Sequence, residues 1–246
     1  MFQGLRQVLR DCVNATAFLT VLPVHHAGGP AGGMFAAFPL IGVILGGALA
    51  GAGLLRPFLP GESGRVALLL LWIALTGGLH LDGLGDACDG LLAPVPLERR
   101  RAILKDPRVG TFGVIGLVLL LLGKYALLGV AAPWTLLLTP MLGRWTISLA
   151  ALLPAAQPPG LGAMSREGYH LKHTVIASLF TLMVLGGAVV CVGSWEVLVL
   201  ALMPPLLVLT FGRWAVGRSG GGLTGDSYGA LCELSELACL FAGALL

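Results

Sequence analysis

Long runs of apolar residues dominate the chain, and short polar segments separate them. The longest runs have the length that a helix needs to cross a bilayer, which is about 20 residues. Membrane barrels alternate polar and apolar residues, whereas these runs are apolar on every side. The pattern therefore predicts an all-α, polytopic integral membrane protein with about seven transmembrane helices. The expected spans are residues 34–55, 66–81, 111–132, 134–153, 174–195, 197–212 and 223 to the C-terminus.

The first 23 residues differ, because their apolar residues recur at helical spacing on one face only. Leu5 and Leu9 mark the apolar face, while Arg6 and Arg10 belong to the polar face. Such a segment is typical of a helix that lies on membrane lipid in the interface. We therefore expect an N-terminal amphipathic interfacial helix, followed by the spans, in one membrane-embedded domain over residues 1–246.

The first expected span contains glycines four residues apart, Gly42 with Gly46 and Gly47 with Gly51. Glycines at this spacing form a flat stripe that lets another helix approach closely in lipid. The spacing predicts that this span is in close contact with a second helix.

The composition supports the membrane assignment and narrows the possible partners. The chain is 57% hydrophobic and only 11% charged, whereas soluble proteins carry about 25% charged residues. A net charge of +3 is too small to indicate a nucleic-acid partner. The five cysteines form no C-x-x-C pair, so neither a zinc site nor a disulfide framework is expected. Four segments are rich in Lys and Arg: the N-terminus, the loops over residues 91–110 and 154–173, and the link before the last span. With seven spans, these four segments fall on one side of the membrane, which the positive-inside rule makes cytoplasmic.

The stretch GLHLDGLGDACDG places three carboxylates at the end of an apolar run. At about 100° per helical residue, Asp82, Asp86 and Asp89 share one helix face. Carboxylates so close repel each other, and a divalent cation would neutralise them. Oxygen ligands favour Mg²⁺, Mn²⁺ or Ca²⁺ over zinc. The alternative is a solvated helix end. The neighbouring His80 could orient a carboxylate or substrate, or cap the helix.

The stretch ERRRAILKDPRVGTFG follows and is typical of phosphate binding. Arginine grips phosphate with two hydrogen bonds, and glycines that lead into a helix expose an anion-binding N-terminus. The alternative is a basic loop that only sets topology. The candidate phosphate-binding residues here are Arg99, Lys105 and Arg108, and Asp106 and Thr111 are further candidate substrate-binding residues.

The last stretch, GGLTGDSYGALCELSE, places Thr224, Asp226, Glu233 and Glu236 at the start of the final span. Ionisable residues within a span are functional candidates. The alternative for the glutamates is pairing with a basic residue of another span, Lys124 or Arg144. Both interpretations stay open for Glu236, while a functional role is favoured for Asp226.

Together these patterns indicate an acidic cation site that faces the cytoplasm, with basic residues nearby for phosphate. This chemistry suits phosphoryl or nucleotidyl transfer to a bulky or lipid-like substrate. One alternative is a phosphotransferase of the CDP-alcohol type. A cation transporter fits less well, because transporter sites lie near mid-membrane between repeats, and no repeat is evident.

The motifs FLTVLP, FPLIG, HLDGLGDACDG, KDPRVGTFG and GGLTGDSYGALCELSE, in this order, resemble the cobalamin synthase family, the adenosylcobinamide-GDP ribazoletransferases. The resemblance implies a bacterial inner-membrane enzyme of late vitamin B12 synthesis. Such an enzyme joins adenosylcobinamide-GDP to α-ribazole or α-ribazole 5′-phosphate. The products are adenosylcobalamin or its 5′-phosphate, and GMP, and Mg²⁺ is required.

The resemblance and the residue patterns together yield one set of candidate site residues. Asp82, Asp86 and Asp89 are the expected metal ligands, for one or two Mg²⁺ ions. Asp82, Asp86 and Asp226 are the expected catalytic residues, and which of these aspartates accepts the hydroxyl proton stays open. The expected substrate-binding residues are Arg99, Lys105, Asp106, Arg108, Thr111, Arg144, Thr224, Glu233 and Glu236.

Overall fold

A computed structural model describes residues 2–29, 31–104, 106, 108–156 and 166–246. These residues are mostly helical, which confirms the all-α prediction; their one β contact is an isolated bridge between Ala155 and Leu223. The helices are α1 (Phe2–Leu19), α2 (Phe38–Gly53), α3 (Ser63–Thr76), α4 (Leu79–Leu92), α5 (Leu97–Ile103), α6 (Thr111–Leu128), α7 (Pro133–Ala150), α8 (Leu171–Val192), α9 (Met203–Leu207), α10 (Arg213–Arg218) and α11 (Gly225–Leu245). Shorter 3₁₀ and π turns are Gly32–Ala36, Arg56–Phe58, Trp195–Leu202 and Val208–Gly212.

Within the described residues, five segments are long and apolar enough to cross a membrane. They are Phe38–Phe58, Thr111–Leu128, Leu171–Val192, Trp195–Arg218 and Gly225–Leu245. A sixth is added if the bent pair α3 and α4 counts as one span. The protein is therefore a polytopic membrane protein, and its described residues contain five or six such segments where about seven spans are expected.

Helix α7 accounts for part of this difference. It packs against α2, α8 and α11, and its Thr139, Arg144 and Thr146 side chains are fully buried. A helix enclosed by protein needs no apolar surface for lipid, so it tolerates polar residues that lower its hydropathy. The bounds of α7 are close to those of the predicted span over residues 134–153. Its surroundings, however, are other helices of the protein.

The junction of α3 and α4 corrects a second expectation. The predicted span over residues 66–81 runs directly into the aspartates, whereas α3 ends at Thr76. Gly77 and Gly78 adopt left-handed φ angles of 62° and 70°, a conformation that glycine adopts without strain. Helix α4 then starts at Leu79, bent by 89° from α3. The aspartates therefore lie on a separate helix and not at the end of a straight span.

Helix α1 confirms the expected N-terminal amphipathic helix. Its Leu5, Val8 and Leu9 side chains are all more than half exposed, at 59%, 58% and 56%. An exposed apolar face of this kind suits contact with lipid at the membrane surface. The location of α1 in the interface stays a prediction.

The glycine spacing in α2 correctly predicts one close helix contact. A Cβ on Gly42 would lie 2.5 Å from the Met141 Cα of α7, and one on Gly46 would overlap the Leu137 carbonyl oxygen. The second pair, Gly47 and Gly51, has no neighbour within 4 Å. Only the first pair therefore brings α2 against α7.

This difference predicts opposite effects for two adjacent substitutions. Gly46→Ala is expected to destabilise the protein by about 1–3 kcal/mol, because overpacking forces backbones apart. Gly47→Ala is the matched control, and should be neutral or stabilising by up to about 1 kcal/mol, because alanine favours helix. Thermal unfolding of both variants in detergent would check this. Equal midpoints for the two variants would contradict the α2–α7 contact.

Candidate active site

Helices α4 and α11 cross at two glycines, and this crossing assembles the site. A Cβ on Gly83 would lie 3.2 Å from the Asp226 Cα, and one on Gly229 would lie 3.1 Å from the His80 carbonyl oxygen. The backbones are therefore in direct contact, with room for hydrogen atoms only. The contact places Asp226, in the first turn of α11, beside the first turn of α4, which carries His80 and Asp82.

A cavity of about 180 Å³ opens at this crossing. The lining combines apolar, largely aromatic side chains, called the apolar or aromatic wall below, with ionisable side chains, called the polar wall. The apolar wall consists of Phe18, Phe35, Phe38, Leu79, Ile147 and Tyr228, and the polar wall of His80, Asp82 and Asp226. An apolar pocket with a few convergent polar groups is the usual form of a small-molecule site.

The structure brings together three aspartates and one threonine that the sequence singles out at separate positions, Asp82, Asp86, Asp226 and Thr224. Asp82 is exposed, whereas Asp86 and Asp226 are half-buried. Asp82 and Asp86 both lie within electrostatic range of Asp226. Thr224 caps α11 by accepting a hydrogen bond of 3.3 Å from the Ser227 amide. This cap fixes Asp226 in the first helical turn, where the helix dipole favours a negative charge.

Asp89 has a different environment from the other two aspartates of α4. It is buried, and its carboxylate accepts hydrogen bonds from the Gly110 amide at 2.7 Å and the Gly113 amide at 2.9 Å. These amides belong to the start of α6, whose unpaired N–H groups attract an anion. The expected anion-binding turn before α6 is therefore present, but the anion that it binds is Asp89.

The basic segment between α4 and α6 divides into exposed and internally bonded groups. Arg99 and Thr111 are exposed, and Lys105 lies outside the described residues. Arg108 forms an ion pair with Asp106 at 2.6 Å. The hydrogen bonds from Arg108 lower the pKa of the Asp106 carboxyl to about 2. Arg108 therefore already has an anionic partner on the protein surface.

Arg100, by contrast, has a structural role at the end of α4. Its guanidinium is buried, and it donates hydrogen bonds of 2.8 Å to the carbonyls of Val95 and Arg218. Arg218 donates in turn to the Leu91 carbonyl at 2.9 Å. The two arginines satisfy carbonyl groups that a helix end leaves unpaired. This pairing fixes the C-terminal end of the aspartate-bearing helix.

A network of four buried ionic groups lies behind the cavity, formed by Lys124, Arg144, Glu233 and Glu236, each at most 5% exposed. Lys124 Nζ is 2.6 Å from Glu233 and also contacts Glu236, and Arg144 forms an ion pair with Glu236. Two cations and two anions balance, which is how buried charges are tolerated. The pairing interpretation is thus confirmed, and substrate contact by Arg144, Glu233 or Glu236 stays a prediction.

Comparison with known proteins identifies the family to which the chain belongs. Residues 11–244 match the family model described as CobS, Cobalamin-5-phosphate synthase. The chain belongs to this family. Three similar proteins are named Adenosylcobinamide-GDP ribazoletransferase. The protein from Pseudomonas paraeruginosa is 39% identical, covering 98% of this chain and 100% of the relative. The Deinococcus radiodurans protein is 40% identical, covering 92% and 82%. The Geotalea daltonii protein is 37% identical, covering 95% and 96%. No solved structure matches the chain.

The carboxylates of this cobalamin-5-phosphate synthase family member fit Mg²⁺ in their chemistry. In the described part of the chain, no group of three or more His, Cys, Asp or Glu side chains is arranged to hold a metal. Mg²⁺, however, commonly binds one or two carboxylates together with substrate phosphates. Asp82 and Asp226 line the cavity, Asp86 lies within electrostatic range of Asp226, and all three offer only oxygen ligands. This donor set suits a magnesium ion whose coordination the substrate completes.

Some buried contacts in this family member have no signal in its sequence. The sequence offers Lys124 as a possible partner of the glutamates, because it is a basic residue within a span, but nothing local shows that it lies 4.2 Å from the centre of the Trp72 ring. The contact of Arg144 with His80 likewise joins residues that are 64 positions apart. Such pairs depend on how helices pack, which spacing along one helix does not report.

Proposed function

We propose that the protein is an adenosylcobinamide-GDP ribazoletransferase, which joins adenosylcobinamide-GDP to α-ribazole or α-ribazole 5′-phosphate. The observation that carries the proposal is the full-length similarity to proteins of that name, 39% identical over 98% of the chain. The geometry agrees with it, because carboxylates and an aromatic wall meet in one cavity. This combination suits a substrate with both a diphosphate and a large apolar part.

The reaction is a displacement at phosphorus. The ribose hydroxyl oxygen of α-ribazole forms a bond to the phosphorus attached to cobinamide. The bond between that phosphorus and the bridging anhydride oxygen breaks, and GMP leaves with this oxygen and the electron pair of the bond. The hydroxyl proton passes to a carboxylate, and we assign this role to Asp226, which is half-buried in the cavity wall. A positioned carboxylate base accelerates such a step by about 10²–10⁴-fold.

The remaining groups hold the substrate. Asp82 and Asp86 would bind Mg²⁺, which supplies neutralisation of the diphosphate charge. The aromatic wall, with Phe35 and Phe38, suits the flat heterocycle of α-ribazole. Asp89 holds the start of α6 against α4, so in this proposal it positions the site without facing the substrate.

We also propose that the site faces the cytoplasm of a bacterial inner membrane. Arg99, Arg100 and Arg101 follow the aspartate helix, and Arg100 contacts Arg218 at its end. Basic residues concentrate on the cytoplasmic side of membrane proteins. The substrates, which are charged and water-soluble, would reach the cavity from that side.

The test is product identification with purified protein in detergent. Adenosylcobinamide-GDP, α-ribazole and Mg²⁺ are supplied, and mass spectrometry is expected to detect adenosylcobalamin and GMP in equal amounts. A parallel reaction with α-ribazole 5′-phosphate identifies the preferred acceptor. Chelation with EDTA should stop product formation, and added Mg²⁺ should restore it. Folded protein that forms neither corrinoid product would overturn the proposal.

A further inference from the structure

His80 lines the cavity, and one nitrogen of its ring has no hydrogen-bond partner among the described residues. The residue is 4% exposed and lines the cavity beside Asp82 and Asp226. Its Nε2 makes no hydrogen bond to any described part of the chain. Most buried polar side-chain atoms have a hydrogen-bond partner, so an unpaired one in a residue that lines a cavity points to a ligand.

The other ring nitrogen determines what Nε2 can do. His80 Nδ1 lies 3.4 Å from Arg144 Nη2. A guanidinium group only donates hydrogen bonds, so Nδ1 must accept this one. The imidazole proton is then on Nε2, since the hydrogen bond of one nitrogen sets the state of the other. Nε2 is therefore a hydrogen-bond donor and has no free electron pair for a metal.

The position of Arg144 is itself fixed by the buried ionic network. Arg144 is fully buried and forms an ion pair with Glu236, which also contacts Lys124. The guanidinium is thus held in place next to His80 before any substrate binds. The buried ionic network therefore also determines which ring nitrogen of His80 carries the proton.

The polar wall otherwise offers few donors. Asp82 and Asp226 carry carboxylates, which accept hydrogen bonds when ionised. The Tyr228 hydroxyl of the apolar wall accepts a hydrogen bond of 3.3 Å from Arg166, and its own O–H is a second possible donor at the cavity. His80 is the side chain of this wall whose donor has no partner among the described residues.

We propose that His80 is a substrate-binding residue whose Nε2–H donates a hydrogen bond to a phosphate oxygen of the diphosphate substrate. The inference rests on the proposed function and adds a residue and an atom to it. Phosphate oxygens are acceptors, and two carboxylates alone would repel them. A neutral donor beside these carboxylates orients the diphosphate. Loss of a hydrogen bond to a charged acceptor lowers binding by about 10- to 100-fold.

Two amide variants separate the two ring nitrogens. His80→Asn keeps an acceptor oxygen where Nδ1 meets Arg144 but has no atom at the Nε2 position. His80→Gln reaches further and places an amide N–H near the Nε2 position. We expect kcat/KM to fall by about 10- to 100-fold in His80→Asn and to recover most of that loss in His80→Gln. His26→Asn, in an exposed segment, is the matched control for the substitution itself.

A binding measurement provides a readout besides turnover. Retention of adenosylcobinamide-GDP by each variant is measured by ultrafiltration and corrinoid absorbance, without the second substrate. Affinity should fall in His80→Asn and rise again in His80→Gln. Wild-type affinity in His80→Asn, or a His80→Gln variant no better than His80→Asn at equal thermal stability, would overturn the proposal.

The tautomer can be observed without any variant. Nitrogen-15 chemical shifts of histidine-labelled wild-type protein are expected to show a buried imidazole that is protonated at Nε2 only, with a shift at Nε2 when adenosylcobinamide-GDP binds. A proton on Nδ1 would refute the proposal even if the variants failed to fold. Wild-type turnover reports separately on the proposed function, so failure of one inference is distinguishable from failure of the other.

Discussion

Lys124→Met is expected to destabilise the folded protein by about 3–5 kcal/mol, because it leaves a buried negative charge without its partner. Lys124 is 3% exposed and contacts both Glu233 and Glu236. Methionine has a similar length and fills the space beside Trp72, so the loss reports mainly on charge. Unfolding of purified protein in detergent, followed by circular dichroism, would measure the change.

A charge-balanced double variant provides the control. Lys124→Met combined with Glu233→Gln leaves Arg144 paired with Glu236 and no excess charge. We expect the double variant to recover most of the lost stability, since neutral replacements of buried ion pairs are often tolerated. If the double variant were as unstable as the sum of both single variants, the network would contribute through shape and not through charge balance.

Asp226→Asn is expected to lower kcat by about 10²–10⁴-fold at saturating Mg²⁺, because the amide cannot accept the hydroxyl proton. The substitution keeps the size of the side chain, and the Ser227 amide that donates to Thr224 in the cap of α11 is not altered. Initial rates of GMP release would measure the effect. Glu62→Gln, at an exposed surface pair with Arg65, is the control for loss of a carboxylate elsewhere.

Asp82→Asn distinguishes metal binding from proton transfer. We expect it to raise the Mg²⁺ concentration needed for half-maximal activity, with partial recovery of rate at high Mg²⁺. Asp226→Asn should show no such recovery. The roles assigned to these two carboxylates would be reversed if only Asp226→Asn responded to added Mg²⁺.

The sequence predicts those features of the fold that depend on single helices. Apolar length identifies most of the spans, and the Gly42–Gly46 spacing identifies a contact surface without its partner. The Gly77–Gly78 break is visible as a glycine pair, yet the apolar residues on both sides continue the hydropathy signal and conceal it. Helix α7 is less apolar than the other spans because its surroundings are protein, which only the packed structure reveals.

The sequence predicts which types of residue form the candidate site. It predicts less well which of these residues contact each other. Carboxylates at the start of α4 and α11 indicate a cation site, and the structure places Asp82 and Asp226 at one cavity. Helical spacing groups Asp89 with them, but α6 supplies its amides from outside α4. The sequence offers Lys124 or Arg144 as the partner of Glu236, because both are basic residues within spans, but that Glu236 contacts both follows only from the packing of three helices.

The bend at Gly77 and Gly78 also determines how the aspartate helix fits the thickness of a bilayer. As one straight helix, residues 63–92 would extend about 45 Å at about 1.5 Å per residue. The hydrocarbon core is about 30 Å thick, so such a rod would tilt steeply or project into water. Either outcome would carry Asp82 away from the aromatic wall. The two glycines therefore determine how deep in the bilayer the carboxylates lie. Substitutions at Gly77 or Gly78 would first change the depth at which the reaction occurs, and only then the reaction itself.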